Sequence, residues 1–348
     1  MKYTENALNI LTIMESYKRI GKAWIIKNLN GNEDVDKIVE LLNKNLSTSI
    51  EEFKRFKEKL KNELIFEYEK YEDCCDGIIA LGDKNFPDIR GKVIDSEKPV
   101  VLFYKGDIDL LSIDNINISV IGLINPDSEI IKREQNIVDQ FVRNKATIIS
   151  GLAFGCDSIA HKQTLDSYGK TVAILPSPLN KILPVQNRNL AYEIYEQGGL
   201  LITEYYNDFK DRYQLIKRYI DRDRLQALFC DTIVLIASYD KNSADNVKLK
   251  GQKLDSGARF AINYAKKYDI PISVMYDQNI DKDNPMFDLN RNIIEEQKDI
   301  IILDEENYIE KIKEIVNKIR IKKDEKIKEI FNKTRIKKEN GNDFSLYD

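Results

Sequence analysis

From about residue 77 onward the chain consists of short, uninterrupted apolar runs separated by stretches with helical spacing, and this alternation restricts the possible folds more than any other feature. The runs that read as strands are Ile116 to Gly122, Ala146 to Ser150, Thr171 to Leu175, Leu200 to Thr203, Thr232 to Ala237, Ile270 to Met275 and Ile300 to Leu303. Helical stretches lie between them, at about 128–144, 156–168, 187–197, 215–229, 256–268 and 288–297. A strand that is apolar throughout, rather than at every second residue, must be covered on both faces, which points to a parallel sheet with helices on either side. Right-handed crossovers then make a doubly wound, mostly parallel Rossmann-like α/β sheet, in which ligands sit at the carboxyl ends of the strands.

Residues 1–72 read instead as a helical domain, with Leu8, Leu11, Met14 and Ile20 followed by Trp24, Ile25, Ile26 and Leu29, then Val39, Leu41 and Leu42. Within it, Tyr17 to Ala23 has the turn-then-helix look of a helix-hairpin-helix, a weak motif. The α/β region spans 73–305, and 306–348 reads as a basic amphipathic helix and tail, with Ile312, Ile315, Val316, Ile319, Ile327, Ile330 and Phe331 at helical spacing among lysines. No apolar run reaches the roughly 18 residues a membrane span needs, and no secretion signal opens the chain, so a cytoplasmic protein without a membrane partner is expected. Four cysteines without metal-ligand spacing and a single histidine, His161, argue against a metal site or a disulfide framework. The net charge of −4 neither supports nor excludes a nucleic-acid ligand. Any such site must be local, and residues 311–338 form one basic stretch, although charge runs are more often solvated helix faces.

The strongest local signal is Ser150-Gly151-Leu152-Ala153-Phe154-Gly155-Cys156-Asp157, where an apolar strand ends in a small-residue turn and enters a helix. Gly151 and Gly155 let the backbone turn sharply, and the first amides of the helix suit a phosphate. It is neither a P-loop nor a dinucleotide fingerprint, since the required Gly-Lys-Ser/Thr and Gly-x-Gly-x-x-Gly are missing. Asp157 reads as a cap, or as a holder of a ribose or base edge; His161 reads as a buried packing residue. A second cluster, Lys217 to Arg224, is either a self-paired Arg/Asp ladder or a source of phosphate-binding guanidinium groups in Arg222 and Arg224. A third, Asp255-Ser256-Gly257-Ala258-Arg259, can offer a cap and free amides to a second phosphate. No nucleophile, base and orienting group assemble at catalytic spacing, so no enzymatic activity and no cofactor are expected.

The order of these loops resembles the DNA-processing protein A (DprA/Smf) family. Ile78 to Pro87 and Pro99 to Asp107 resemble its opening segments. Ser150 to His161 is similar at every fixed position to its Ser-Gly-x-Ala-x-Gly-x-Asp-x-x-Ala-His signature, and Gly169 to Leu175, Pro184 with Asn187, Leu201 to Tyr205, Arg222-Asp223-Arg224 and Ser256-Gly257 keep the family's order. The resemblance covers about 77–303. It implies a homodimer that binds single-stranded DNA without catalysis and loads a RecA-type recombinase onto it during transformation or recombination. It also implies a DNA- or phosphate-binding set of Gly122, Ser150, Gly151, Gly155, Asp157, Arg222, Arg224, Ser256 and Gly257.

Three departures bear on that inference. Where the family has Gly-Ser-Arg after its first Rossmann strand, this chain has Gly122-Leu123-Ile124, which removes a phosphate-binding arginine. The turn after Leu175 is Pro176-Ser177-Pro178, which lacks two amide donors, and the C-terminus does not look like an appended winged helix. These changes leave open a second reading, a sensor of a nucleotide or nucleotide-derived signal, for instance in defence against mobile DNA. Phe154, Tyr205, Tyr206 and Tyr219 are the aromatic residues expected to stack on bases. A phosphoribohydrolase ranks last, because the Pro-Gly-Gly-x-Gly-Thr loop of those enzymes is absent. A basic groove continuous with 311–338 would favour DNA, and a closed pocket above Gly151 and Gly155 a small ligand.

Overall fold

The computed structural model describes residues 2–69, 74–243, 254, 257–297 and 299–341. The chain opens with a two-residue strand β1 (Lys2–Tyr3) and four helices, α1 (Glu5–Ser16), α2 (Lys22–Asn28), α3 (Val35–Leu42) and α4 (Ile50–Glu69). Their starts are set by side chains that satisfy the free amides of a first turn: Thr4 accepts from the Ala7 N–H and Asp34 from the Lys37 N–H. Then follow β2 (Gly77–Ala80), β3 (Val101–Gly106), β4 (Asn117–Ile121), α5 (Ser128–Arg143), β5 (Thr147–Ser150), α6 (Cys156–Asp166), β6 (Thr171–Ile174), α7 (Arg188–Glu196) and β7 (Leu200–Thr203). The chain continues through α8 (Arg212–Leu228), β8 (Thr232–Leu235), α9 (Ala258–Tyr268), β9 (Ile272–Met275), α10 (Asp288–Glu296), β10 (Ile301–Leu303) and α11 (Tyr308–Gly341).

All seven strands expected from the apolar runs form, and each of β4 to β9 is buried along its whole length, as strands covered on both faces must be. Among the described residues, ten strands make one sheet in the order β1-β2-β3-β7-β6-β5-β4-β8-β9-β10. Every neighbouring pair is parallel except β2–β3 and β3–β7, so β3 alone runs against the rest. This is the expected α/β architecture, extended at one edge by β1, β2 and β3.

The helical segment does not enclose a core of its own. Leu8, Ile13, Ile25, Leu42, Phe53 and Leu64 belong to the same buried apolar cluster as Val101 and Phe103 of β3 and Leu201 of β7. The turn between α1 and α2, read as a helix-hairpin-helix, places Lys22 against Glu204 at the end of β7, with Nζ to Oε1 at 2.6 Å.

At the other end of the chain, α11 is divided by its contacts. Ile312, Ile315 and Val316 are buried in the main core. One turn later the anchors turn polar: Arg320 donates to the Asn144 carbonyl (3.0 Å), and Lys323 donates to Asp231 Oδ2 (2.7 Å) and to the Asn115 carbonyl. Asn115, Asn144 and Asp231 precede β4, β5 and β8, so α11 is fastened at the amino ends of the strands. Arg320 and Lys323 of the basic stretch are therefore directed away from the opposite, carboxyl ends.

Candidate nucleic-acid interface

Strand order decides where a ligand crevice opens. From β4 the chain steps through β5 and β6 to β7 in one direction, then returns to place β8, β9 and β10 on the other side of β4. Successive crossovers leave β4 and β8 on opposite faces of the sheet, so a crevice opens beyond their carboxyl ends. Beside it, beyond the ends of β4 and β5 and bordered by α8 and the start of α9, lies a cleft of about 270 Å³, lined by Gly122, Ile124, Ala153, Phe154, Ile216, Tyr219, Ile220, Gly257 and Phe260, with Asp157, Arg222, Asp223 and Gln226 supplying its polar groups.

The glycines of the signature are explained by close approach. Gly155 has φ +70°, and a Cβ there would lie 2.2 Å from the Leu123 carbonyl oxygen. A Cβ on Gly122 would lie 2.6 Å from Cys156 Sγ. The turn from Gly151 to Gly155 is pinned from outside by Asn187, whose Nδ2 donates to the carbonyls of Leu152 (2.9 Å) and Ala153 (3.2 Å). Asn187 thus positions the turn, a role that its place in the sequence did not disclose. Ser150 is fully buried and donates its hydroxyl to the Val120 carbonyl at 2.7 Å, tying β5 to β4.

The phosphate cradle read from the sequence is filled from within. Asp157 Oδ2 accepts from the Gly151 N–H at 3.2 Å, the Ala153 N–H at 3.3 Å and Arg222 Nη1 at 3.1 Å. Asp157 therefore caps the preceding turn; the N-cap of α6 is Gly155. Gln226, with its amide oriented to satisfy both neighbours, accepts from the Gly151 N–H at 3.0 Å and donates to Asp223 Oδ1 at 3.1 Å. Arg222 is buried, with its Nε 3.3 Å from Asp223 Oδ1. Burial disfavours its charge, but Asp223 and Asp157 more than offset that and hold its pKa above the ordinary value.

Arg224 does not join this group. Two residues apart on a helix are turned about 200° from each other, so Arg222 and Arg224 cannot serve one ligand. Arg224 instead binds Glu204 and the Glu97 carbonyl on the far side of α8. Burial works against the Glu204 carboxylate, yet Arg224 and Lys22 together keep its pKa below the ordinary value. The Arg/Asp ladder is thus divided, with one arginine in the cleft floor and one in a structural bridge. Gly257 lines the cleft, whereas Ser256 lies outside the described residues.

Of the four aromatic residues expected to meet bases, Phe154 and Tyr219 line the cleft. Tyr205 is covered by Arg218, 4.1 Å above its ring, and Tyr206 is buried against Phe103. Ile124, where the resemblance implies an arginine, also lines the cleft and is 40% exposed. The cleft walls are consequently apolar and aromatic, and its charges lie in the floor.

The sequence profile described as DNA recombination-mediator protein A matches residues 77–313. The chain belongs to this family, that of DprA and Smf. Over 178 residues, 51% of the chain, it is 28% identical to protein Smf of Borreliella burgdorferi. It is 33% identical to the DNA processing protein DprA of Streptococcus pneumoniae over 109 residues, 31% of the chain. Those stretches span only 55% and 37% of the two relatives. Among solved structures, DprA of S. pneumoniae superposes with a TM-score of 0.61 at 20% identity, covering 87% of this chain and 95% of that one. DprA of Helicobacter pylori, a structure concerned with that protein's single-stranded DNA binding mode, gives 0.51 at 22% identity over 68% of this chain and 99% of that one. Both likenesses establish the Rossmann-like fold. Among the described residues of this family member, no helix is long and apolar enough to cross a membrane.

Proposed function

We propose that this DprA/Smf-family chain binds single-stranded DNA without chemical conversion, seating a base in the cleft beyond the ends of β4 and β5. One observation carries the reading: an open cleft with Phe154, Tyr219, Ile124 and Ile216 in its walls and Arg222 in its floor. Every base has a flat apolar face, so such walls hold bases of any sequence, and only unpaired strands expose those faces. The candidate set thereby becomes Gly122, Gly151, Gly155, Asp157, Arg222 and Gly257 as builders of the cleft, with Phe154, Ile124 and Tyr219 as its contact surface. Recombinase loading and homodimer formation are part of the proposal and rest on family membership. The apolar Ile124 and the small size of the cleft also favour the second reading, a mononucleotide or nucleotide-derived ligand.

The test is fluorescence anisotropy with a labelled oligothymidylate across a salt series. The wild type should bind, more weakly as salt rises, because neutralised phosphates release counterions. Phe154→Ala should lose about 1–3 kcal/mol, roughly a 5- to 150-fold weakening. Truncation after Glu325 should leave binding unchanged, because α11 is fastened at the opposite end of the sheet. An inert folded wild type at low salt refutes the DNA reading, and displacement of the oligonucleotide by a mononucleotide at equal concentration favours the second reading.

A further inference from the structure

The cleft has an exit. Along α8, Tyr213, Ile216 and Ile220 recur at spacings of three and four and share one helix face. Ile216, Tyr219 and Ile220 line the cleft, and Tyr213 lies one turn further out. Tyr213 is 85% exposed and Ile216 47% exposed, so neither serves the core. Basic residues interleave with them: Lys210, Arg212 and Lys217 are all exposed, and none has an ion-pair partner among the described residues. The nearby acids are already engaged, since Asp211 accepts from the Gln214 N–H (2.8 Å), Asp208 pairs with Lys181 and Asp221 accepts from the Tyr205 hydroxyl (3.1 Å).

We infer that the first two turns of α8 are a strand-binding track, on which Tyr213 and Ile216 stack the nucleotides next to the one in the cleft while Arg212 and Lys217 neutralise their phosphates. Stacking surfaces interleaved with cations are what a flexible polyanion with flat bases requires. A mononucleotide would fill the cleft and leave this surface unused, so the track makes an oligonucleotide the ligand. The inference rests on the cleft reading of the proposed function.

Thymidine monophosphate and oligothymidylates of two, four and eight residues separate the two ideas. With the track in use, wild-type affinity climbs steeply from the monophosphate to the tetramer. Tyr213→Ala, at an exposed position that leaves the core intact, weakens octamer binding at least 5-fold and leaves the monophosphate unchanged. Arg212→Gln combined with Lys217→Gln lowers the slope of log affinity against log salt by about 0.7 for each phosphate contact removed. Equal octamer binding by wild type and Tyr213→Ala overturns the track while the cleft stands, as does a wild-type affinity independent of length. Failure of the folded wild type to bind any of the four overturns both.

Discussion

Gly151→Ala is expected to cost about 3–5 kcal/mol of stability and to abolish DNA binding, although position 151 has ordinary backbone geometry and alanine adds one methyl group. The Cβ would lie 0.9 Å from Arg222 Nη1, 2.2 Å from Arg222 Cζ and 2.8 Å from Asp157 Oδ2. The guanidinium must leave, and once it leaves Asp157 is a buried carboxylate without its cation. Breaking a buried pair by removing one partner carries this penalty because the remaining charge is neither solvated nor neutralised. Gly198→Ala is the control. Gly198 has φ +76°, but its nearest neighbour is the flexible end of Lys170, so the cost should be the 1–2 kcal/mol of left-handed backbone alone. Urea denaturation of both variants beside the wild type measures the difference. Equal losses would mean that Arg222 is free to move and that the cleft floor is not rigid.

Between pH 7.5 and pH 5, the difference in stability between the wild type and His161→Gln should shift by about 2 kcal/mol in the variant's favour. His161 is fully buried, and Thr171 Oγ1 sits 2.7 Å from its Nδ1. Thr171 already donates its hydroxyl to the Ile148 carbonyl, so it must accept from an Nδ1–H, which fixes the tautomer. Burial, with a smaller contribution from the Arg222 charge, pushes the pKa of this imidazole down to about 3. The unfolded chain protonates near pH 6.5 while the folded chain does not, so stability falls from about pH 6.5 downward until the folded group titrates. Glu134 acts with the opposite sign: burial raises its pKa well above the ordinary value, so its contribution is present at low pH and is lost as pH rises. Taking the difference between wild type and variant cancels it. Since His161 is the only histidine, its ring resonances can be followed by NMR without ambiguity. A resonance that titrates near pH 6.5 in the folded protein would refute the assignment.

What the sequence disclosed and what it hid divide by range. The strands β4 to β9 were legible because burial on both faces leaves a continuous apolar run, which is a local property. The turn from Ser150 to Asp157 was legible as a tight strand-to-helix turn because its glycines and small residues are adjacent; it borders the cleft. β2 and β3 escaped although Ile78 to Leu81 and Val100 to Tyr104 are apolar runs, because no α-helix lies between β2, β3 and β4 and the strand–helix alternation that marked the others is missing there. The start of α8 was placed three residues late, because Asp211 as its cap was overlooked. More was hidden in the site. That Asp157 consumes the Gly151 and Ala153 amides follows from an arginine 65 positions away, and the parting of Arg222 from Arg224 follows from which face of α8 meets the sheet. The aromatic candidates likewise sorted by burial, which residue type alone does not set.

The single sheet shared by the helical segment and the region that bears the cleft has a consequence for cooperativity. Among the described residues the two are joined twice over: β1 and β2 connect through β3 to β7, and α1 and α4 bury the same apolar cluster as β3 and β7. α8 completes the connection. Arg222 on one side reaches the cleft floor, while Arg224 on the other reaches Glu204, which holds Lys22 of α2. Ligand binding energy therefore cannot be confined to the crevice. It is linked to the folding equilibrium of the whole ten-stranded body, and protection gained at the mouth of the cleft should extend to the amides of the N-terminal helices.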